Sequence, residues 1–183
     1  MCARPMAPPK QTTRAGSDRP SFRAFALRLL LYLFLVSLLF SLGGLHQRLG
    51  PLQQLMASVV AAGAKAMGAD ATGSGSVIRL PGTALEINHE CTGVFVLVVY
   101  ASFVVAYPAR WGQRLSGIAT GAAVLMGINV ARLIALAVIA SRSPAWFGYF
   151  HEYFFQGLFI ALLAFLASIW TEQVRRATLS VPG

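Results

Sequence analysis

The sequence predicts an all-α membrane protein with about four transmembrane helices, an amphipathic helix on the outer face and a short β-hairpin. Two observations support this class. Of the 183 residues, 56% are apolar and only 11% are charged, whereas soluble domains contain about 25% charged residues. The apolar residues also form long uncharged runs, and about 20 helical residues are enough to cross a hydrocarbon layer of about 30 Å. The composition therefore disfavours a soluble globular protein.

Four charge-poor runs are long enough to cross a bilayer. They are residues 25–42, 92–109, 115–141 and 153–171. The first run is longer than the apolar region of a signal peptide and no A-x-A-like cleavage site follows it, so it is interpreted as a retained anchor. The chain is accordingly divided into a disordered basic cytoplasmic tail at 1–23, one membrane-embedded domain at 24–174 and a second cytoplasmic tail at 175–183.

The segments between the first two runs predict structure on the outer face. Residues 49–64 carry apolar side chains at helical spacing among glutamines, which favours an amphipathic helix lying on the membrane or on neighbouring spans over a fifth span. Residues 69–75 are small and Gly-rich and predict a loop. Pro81-Gly82 then separates the short runs 77–80 and 83–87, which predicts the β-hairpin.

The distribution of cations predicts the orientation. Fifteen Lys and Arg against six Asp and Glu give a net charge of +9, which in a soluble protein would suggest nucleic acid as the partner. Here the cations flank apolar runs, so the lipid bilayer is the expected partner and binding of nucleic acid is not expected. With four spans, ten cations fall in cytoplasmic segments and four in outer ones, which indicates a multi-pass protein of the cytoplasmic (inner) membrane with its N-terminus in the cytoplasm.

Cys91 is the first candidate for chemistry. It lies where a loop enters the second span, between His89-Glu90 and Thr92-Gly93, whereas Cys2 lies in the cytoplasmic tail and cannot pair with it within one chain. A thiolate at this position is favoured by the helix dipole and by unpaired backbone N–H groups. Position alone leaves two alternatives open, a nucleophile and a small buried side chain.

Arg132 is the second candidate, because it lies well inside the third predicted span, whereas Arg28 lies in the first turn of the first span, where it can reach the headgroups. An arginine at this depth is costly and usually faces a bundle interior or a water-filled cavity. Asn129, three residues earlier, shares its helix face. Upstream, Gly117 and Gly121 predict a face on which another helix packs closely. The alternative is an arginine whose long side chain reaches the outer headgroups.

His151 is the third candidate, and it begins the fourth span within an aromatic run typical of a membrane interface. Cys91, Arg132 and His151 come from three spans, yet all fall toward the outer face. A Cys–His pair with a cationic stabiliser can assemble there. His46 and His89 remain alternative bases, since His46 follows the first span at the same level and His89 is two residues from the cysteine.

Three short motifs resemble those of the exosortase and archaeosortase family of integral-membrane cysteine transpeptidases. They are Glu90-Cys91-Thr92-Gly93, Asn129-x-x-Arg132 in the next span, and His151 at the head of the following one. The resemblance covers about residues 87–166, and the chain looks like a compact member. It implies that Cys91 is the nucleophile and that Arg132 and His151 are essential, with Asn129, Glu90, Thr92 and Gly93 as supporting residues.

The resemblance also implies a reaction and a substrate class. Substrates would be exported, membrane-tethered proteins with a C-terminal sorting signal, a transmembrane helix and a basic tail. The enzyme would cleave this signal through a thioester and then transfer or release the protein, with the active site toward the extracytoplasmic face. Such a protein is classed as a hydrolase, a cysteine protease and a transpeptidase of protein sorting.

Other classes of function are less consistent with the sequence. No H-E-x-x-H motif and no Gly-rich phosphate loop occurs, which disfavours a metalloprotease or a nucleotide-driven machine, so no metal and no cofactor is expected. The main alternative is a non-catalytic four-helix membrane assembly or transport subunit. In that case Cys91 would be inert and Arg132 would be neutralised by Glu86, Glu90 or Glu152.

Overall fold

The computed structural model describes residues 22–42 and 49–179. The helices are α1 (Phe22–Leu42), α2 (Gly50–Ala66), α3 (Val94–Ala106), α4 (Trp111–Arg142), α5 (Pro144–Tyr149) and α6 (Phe155–Leu179). A 3-10 turn, His89–Thr92, precedes α3, and a π-helical turn, Phe150–Phe154, joins α5 to α6. Cys2 and His46, as well as most of the predicted N-terminal tail and the last four residues, lie outside the described ranges.

The prediction of an all-α membrane protein is confirmed. In the described ranges, three helical segments are long and apolar enough to cross a membrane, namely Phe22–Leu39, Trp111–Arg142 and Pro144–Leu179. Val94–Ala106 is apolar but only 13 residues long. It is shorter than the run of apolar residues around it, because Gly93 breaks the helix at one end with a φ of 76°. Pro108 disfavours helical geometry at Tyr107 at the other end.

The predicted amphipathic helix is α2. One face is buried, and it consists of Met56, Ala57, Val60, Ala61 and Ala64. This face contacts α4 and the sheet, and the opposite face exposes Leu55 and Val59. The helix begins with Pro51 near its N-terminus, where the missing N–H costs nothing because the first helical donors have no intrahelical partner.

The predicted hairpin is part of a three-stranded antiparallel sheet. Its strands are β1 (Thr72–Ser74), β2 (Val77–Leu80) and β3 (Thr83–Glu86), paired in the order β1-β2-β3. Pro81 and Gly82 form the turn between β2 and β3, and Gly82 has the φ of 79° that a type II turn requires. The prediction of a loop over 69–75 was wrong for residues 72–74, which form the strand β1. Gly73 has no side chain, and this lets the strand lie directly on α2.

Two clusters of buried side chains hold the helices together. The first joins α2 and the sheet to the half of α4 that ends at Arg142. The second joins α3, the other half of α4 and α6, and includes Tyr100 and Trp170. Gly117 and Gly121 belong to this contact, but they meet aromatic rings, because a Cβ on Gly117 would clash with Trp170 and one on Gly121 with Tyr100.

We expect Gly121→Ala to lower the free energy of unfolding by about 1–3 kcal/mol, because Tyr100 is buried and cannot easily move away from a new methyl group. The matched control is Gly127→Ala on the same helix, where the added Cβ meets no atom within 4 Å. Unfolding of the detergent-solubilised variants in sodium dodecyl sulfate measures the difference. Equal stability of the two variants would contradict the close contact with Tyr100.

Candidate active site

The turn that carries Cys91 is fixed by its own hydrogen bonds. Asn88 caps the turn, and its side-chain oxygen and its carbonyl oxygen each accept from the Cys91 N–H at 3.1 Å. The hydroxyl of Thr92 donates to the carbonyl of His89 at 2.7 Å and accepts from the N–H of Val94 at 3.4 Å. The Cys91 backbone is thus fixed by the cap from Asn88 on one side and by the hydrogen bonds of the Thr92 hydroxyl on the other.

Asn129 ties this turn to α4. Its side-chain amide donates to the carbonyl of Cys91 at 2.9 Å, and the residue is only 1% exposed. Gly93 leaves room for this contact, because a Cβ there would lie 2.9 Å from the Asn129 amide nitrogen. Gly93 also has a φ of 76°, which side chains rarely tolerate. Asn129 and Thr92 therefore fix the backbone of the Cys91 turn, and Gly93 leaves the space that this contact needs.

Arg132 lies one turn beyond Asn129 on α4. Its guanidinium carbon is 5.3 Å from the ring centroid of Phe159 and 6.0 Å from that of Phe155, within the range of cation–π attraction. The Nε atom of Arg132 is buried without a hydrogen-bond partner in the described part of the chain. Aromatic faces thus hold this cation without neutralising it.

The carboxylates suggested as partners of Arg132 do not pair with it. Across residues 22–42 and 49–179, Glu86, Glu90 and Glu152 form no ion pair, and Glu172 instead binds Arg175 and Arg176. The charge of Arg132 acts on the Cys91 thiolate, whose pKa it lowers. The guanidinium is therefore available to an anion that forms beside Cys91.

His151 lies in the π-helical turn between α5 and α6. Its ring stacks on Phe147, with centroids 5.4 Å apart and planes inclined by 17°. This stacking limits the orientations of the imidazole, since Phe147 itself packs against the first buried cluster. π-helical turns are rare and often occur at functional sites.

Cys91, Arg132 and His151 line one cavity of about 710 Å³. The polar lining near the turn also includes Asn88, His89 and Glu90. The remaining walls are mostly apolar and come from α1, α3 and α6. They consist of Ser37, Phe95, Val96, Val99, Gln156, Phe159, Ile160 and Leu163. The cavity is thus lined by a thiol, a cation and an imidazole together with mostly apolar walls.

Burial raises the pKa of the Cys91 thiol above its ordinary value. A hydrogen bond with the backbone of Asn88 and the charge of Arg132 lower it, and the nearby Glu90 carboxylate raises it, but burial has the largest effect. The prediction that its position favours the thiolate was therefore wrong in its net direction. The helix dipole acts on the charged form, whereas removing water from around the sulfur opposes that form.

Sequence reasoning missed three residues of this site. Asn88 was detectable, because an Asn three residues before Cys91-Thr92 fits a capping position. Phe155 and Phe159 were not, because two phenylalanines four residues apart in an apolar helix are equally typical of packing against lipid or a core. No group of three His, Cys, Asp or Glu with metal-binding geometry occurs among the described residues.

Comparison with known proteins identifies the family. The family model of the transmembrane exosortases (Exosortase_EpsH) matches residues 14–170. This range includes all the described helices up to Trp170 and the three residues Cys91, Arg132 and His151. No curated protein and no solved structure matches the chain. Because the family model covers most of the 183 residues, the chain belongs to the transmembrane exosortase family.

Proposed function

We propose that the protein is a cysteine peptidase of the transpeptidase type that cleaves the C-terminal sorting signal of exported, membrane-tethered proteins. The observation that carries this proposal is the cavity shared by Cys91, Arg132 and His151. These residues come from three separate elements, the turn before α3, the middle of α4 and the π-helical turn. Together they supply the nucleophile, the cation and the base that acyl transfer requires.

In the first step His151 takes the thiol proton of Cys91 and the sulfur attacks the carbonyl carbon of the scissile peptide bond. Imidazole suits this exchange because its ordinary pKa lies near neutrality. Burial keeps the resting thiol protonated, so proton transfer to the base accompanies attack. Asn129 holds the Cys91 carbonyl during this step, which keeps the sulfur in place.

The attack converts the substrate carbonyl into a tetrahedral oxyanion. Arg132 stabilises this charge, because its guanidinium has a buried nitrogen without a partner and lies against Phe155 and Phe159 in place of a carboxylate. When the C–N bond breaks, the imidazolium of His151 returns its proton to the leaving amine. A thioester between Cys91 and the new C-terminus remains, and an amine or water attacks it to transfer or release the protein.

The apolar walls of the cavity suit a substrate that is anchored in the membrane. They come from α1, α3 and α6, and the lining residues of α3 follow the Cys91 turn along the chain. An apolar wall there accepts the first residues of a transmembrane helix, which would follow the scissile bond. Membership of the transmembrane exosortase family supports a substrate of this kind, with a sorting signal, a helix and a basic cytoplasmic tail.

The active site faces the extracytoplasmic side of the inner membrane in this proposal, with the N-terminus in the cytoplasm. The distribution of cations supports this orientation, because Arg110 and Arg114 lie in the connection between α3 and α4 and at the start of α4, and Arg175 and Arg176 lie near the end of α6. All four are at the opposite end of the bundle from Cys91, as expected for cytoplasmic segments.

Cys91→Ala is expected to abolish processing of a reporter protein that carries the C-terminal signal, helix and basic tail of an exported protein from the same genome. The reason is that no other residue of the cavity is a thiol. Immunoblotting of the reporter before and after cleavage measures the effect. Arg79→Gln, an exposed change on β2, is the control and should process normally. Continued processing by membrane-inserted Cys91→Ala would eliminate the thiol mechanism.

Alkylation by iodoacetamide should report the raised pKa of Cys91. In a Cys2→Ser background, the rate should keep rising with pH beyond the point at which an unperturbed thiol levels off, because only the thiolate reacts. Arg132→Gln should shift the midpoint to still higher pH, since it removes a positive charge that favours the thiolate. Arg79→Gln should not shift it. A lower midpoint in Arg132→Gln would contradict the proximity of the two groups.

Labelling of intact cells should establish the orientation. A membrane-impermeant maleimide is expected to modify Cys91, which is partly exposed in an open cavity, and to leave Cys2 unmodified. Single-cysteine variants separate the two signals, and permeabilised cells provide the control in which both thiols react. Modification of Cys2 alone in intact cells would invert the proposed topology.

A further inference from the structure

The three-stranded sheet has one covered edge and one open edge. β1 forms the first edge and packs against α2 so closely that a Cβ added to Gly73 would lie 3.4 Å from the carbonyl oxygen of Ala57. β3 forms the second edge, and three of its four residues, Thr83, Ala84 and Glu86, are exposed. An exposed strand edge presents backbone donors and acceptors that are ready to pair with another chain.

The register identifies the backbone groups on this edge. The N–H of Ile87 donates to the carbonyl of Ser76 at 2.8 Å, so Ile87 is directed toward β2. Because hydrogen-bonded pairs alternate along an antiparallel ladder, Leu85 also points its backbone groups toward β2, whereas Ala84 and Glu86 point theirs away. Within residues 22–42 and 49–179, the outward N–H and C=O groups of Ala84 and Glu86 have no hydrogen-bond partner.

The open edge leads directly to the nucleophile. After Glu86 the chain continues through Ile87 and Asn88 into the turn of Cys91. Asn88 both caps this turn and lines the cavity. A peptide paired along β3 therefore arrives at the cavity after only a few residues, since a strand advances about 3.3 Å per residue.

We propose that the edge of β3 binds the substrate segment immediately before the scissile bond as an added, parallel strand. The direction follows from the membrane. β3 runs toward the Cys91 turn, and the apolar helix α3 follows that turn. In the proposed topology α3 leads into the bilayer. A substrate of the proposed function runs from its exported domain through the scissile bond into its own transmembrane helix, which is the same direction. The inference rests on the proposed function and adds the way in which the signal is read.

Strand addition explains how one site can accept different sorting signals. The outward groups of Ala84 and Glu86 bind the substrate backbone, so this part of the affinity is independent of side chains. Selectivity then comes from alternate substrate side chains and from the groups beside the edge, among which Glu86 supplies an exposed carboxylate. The arrangement also presents the scissile carbonyl in an extended chain, in which thiolate attack is unobstructed.

A proline at position 84 tests the edge, because Ala84→Pro removes one outward N–H and breaks no bond to β2. Proline is tolerated in edge strands at such positions. We compare it with Ala84→Val, which alters the same side chain and keeps the N–H. With the same reporter, kcat/KM of Ala84→Pro should be about five- to tenfold below that of Ala84→Val, as expected for one hydrogen bond. Unchanged iodoacetamide reactivity of Cys91 verifies the fold.

The outcomes separate this inference from the proposed function. If the wild-type enzyme does not process the reporter, the proposed function fails. If it does and the two position-84 variants are equally active, the added strand is overturned and the function stands.

Disulfide trapping gives a second measurement that does not depend on a proline variant folding. Ala84→Cys and Glu86→Cys are each placed in a chain with Cys2→Ser and Cys91→Ser, and single cysteines are moved along the reporter segment before the scissile bond. Parallel pairing predicts that crosslinks form at alternate residues of the substrate. The substrate residue that crosslinks best to Glu86→Cys should lie two residues closer to the scissile bond than the one that crosslinks best to Ala84→Cys. A shift in the opposite sense, or the absence of alternation, would overturn the parallel strand.

Discussion

The hydrogen bond from Asn129 to the carbonyl of Cys91 is the contact on which the rest of the site depends. It joins the turn before α3 to the middle of α4, and its donor Asn129 is only 1% exposed, which strengthens the bond by limiting competition from water. Arg132 lies one helical turn from Asn129 and shares its face. The same bond therefore fixes the backbone of Cys91 and its position relative to Arg132. The hydrogen bond also requires glycine at position 93, because any side chain there would occupy the space of the Asn129 amide.

Aromatic packing solves a second problem, which is how to keep a charge inside a membrane domain without cancelling it. A carboxylate partner would stabilise Arg132 but would also occupy the donors that an oxyanion needs. Phe155 and Phe159 offer the guanidinium their ring faces, so attraction is gained and the hydrogen-bond donors stay available. His151 is held in a similar way by its stacking on Phe147. The π-helical turn places this histidine at the cavity, next to the helix that carries both phenylalanines.

Composition and uncharged runs were enough to predict the fold class, because lipid exposure demands apolar helices whatever their packing. The grouping of Cys91, Arg132 and His151 at one end of the bundle was also predictable, since alternating spans bring those positions to the same level, and all three line one cavity. Features that depend on tertiary contacts were not. β1 forms in a polar, Gly-rich segment because α2 supplies a surface for it. The pKa of Cys91 rises because packing excludes water, which a dipole argument from local sequence does not include.

The short length of α3 bears on where the proposed cleavage would take place. Its 13 residues extend about 20 Å, which is about 10 Å less than the hydrocarbon layer of a bilayer. In the proposed topology α3 crosses the bilayer, and a hydrophobic mismatch of this kind is relieved by local thinning of the bilayer or by polar groups drawn below the headgroups. Both bring water and the Cys91 turn closer to the level at which a transmembrane helix ends. A substrate helix that ends at that boundary would be unwound and hydrated at lower cost beside α3 than elsewhere in the membrane. Under the proposed function, the thickness of the lipid would then help to determine which bond is cut.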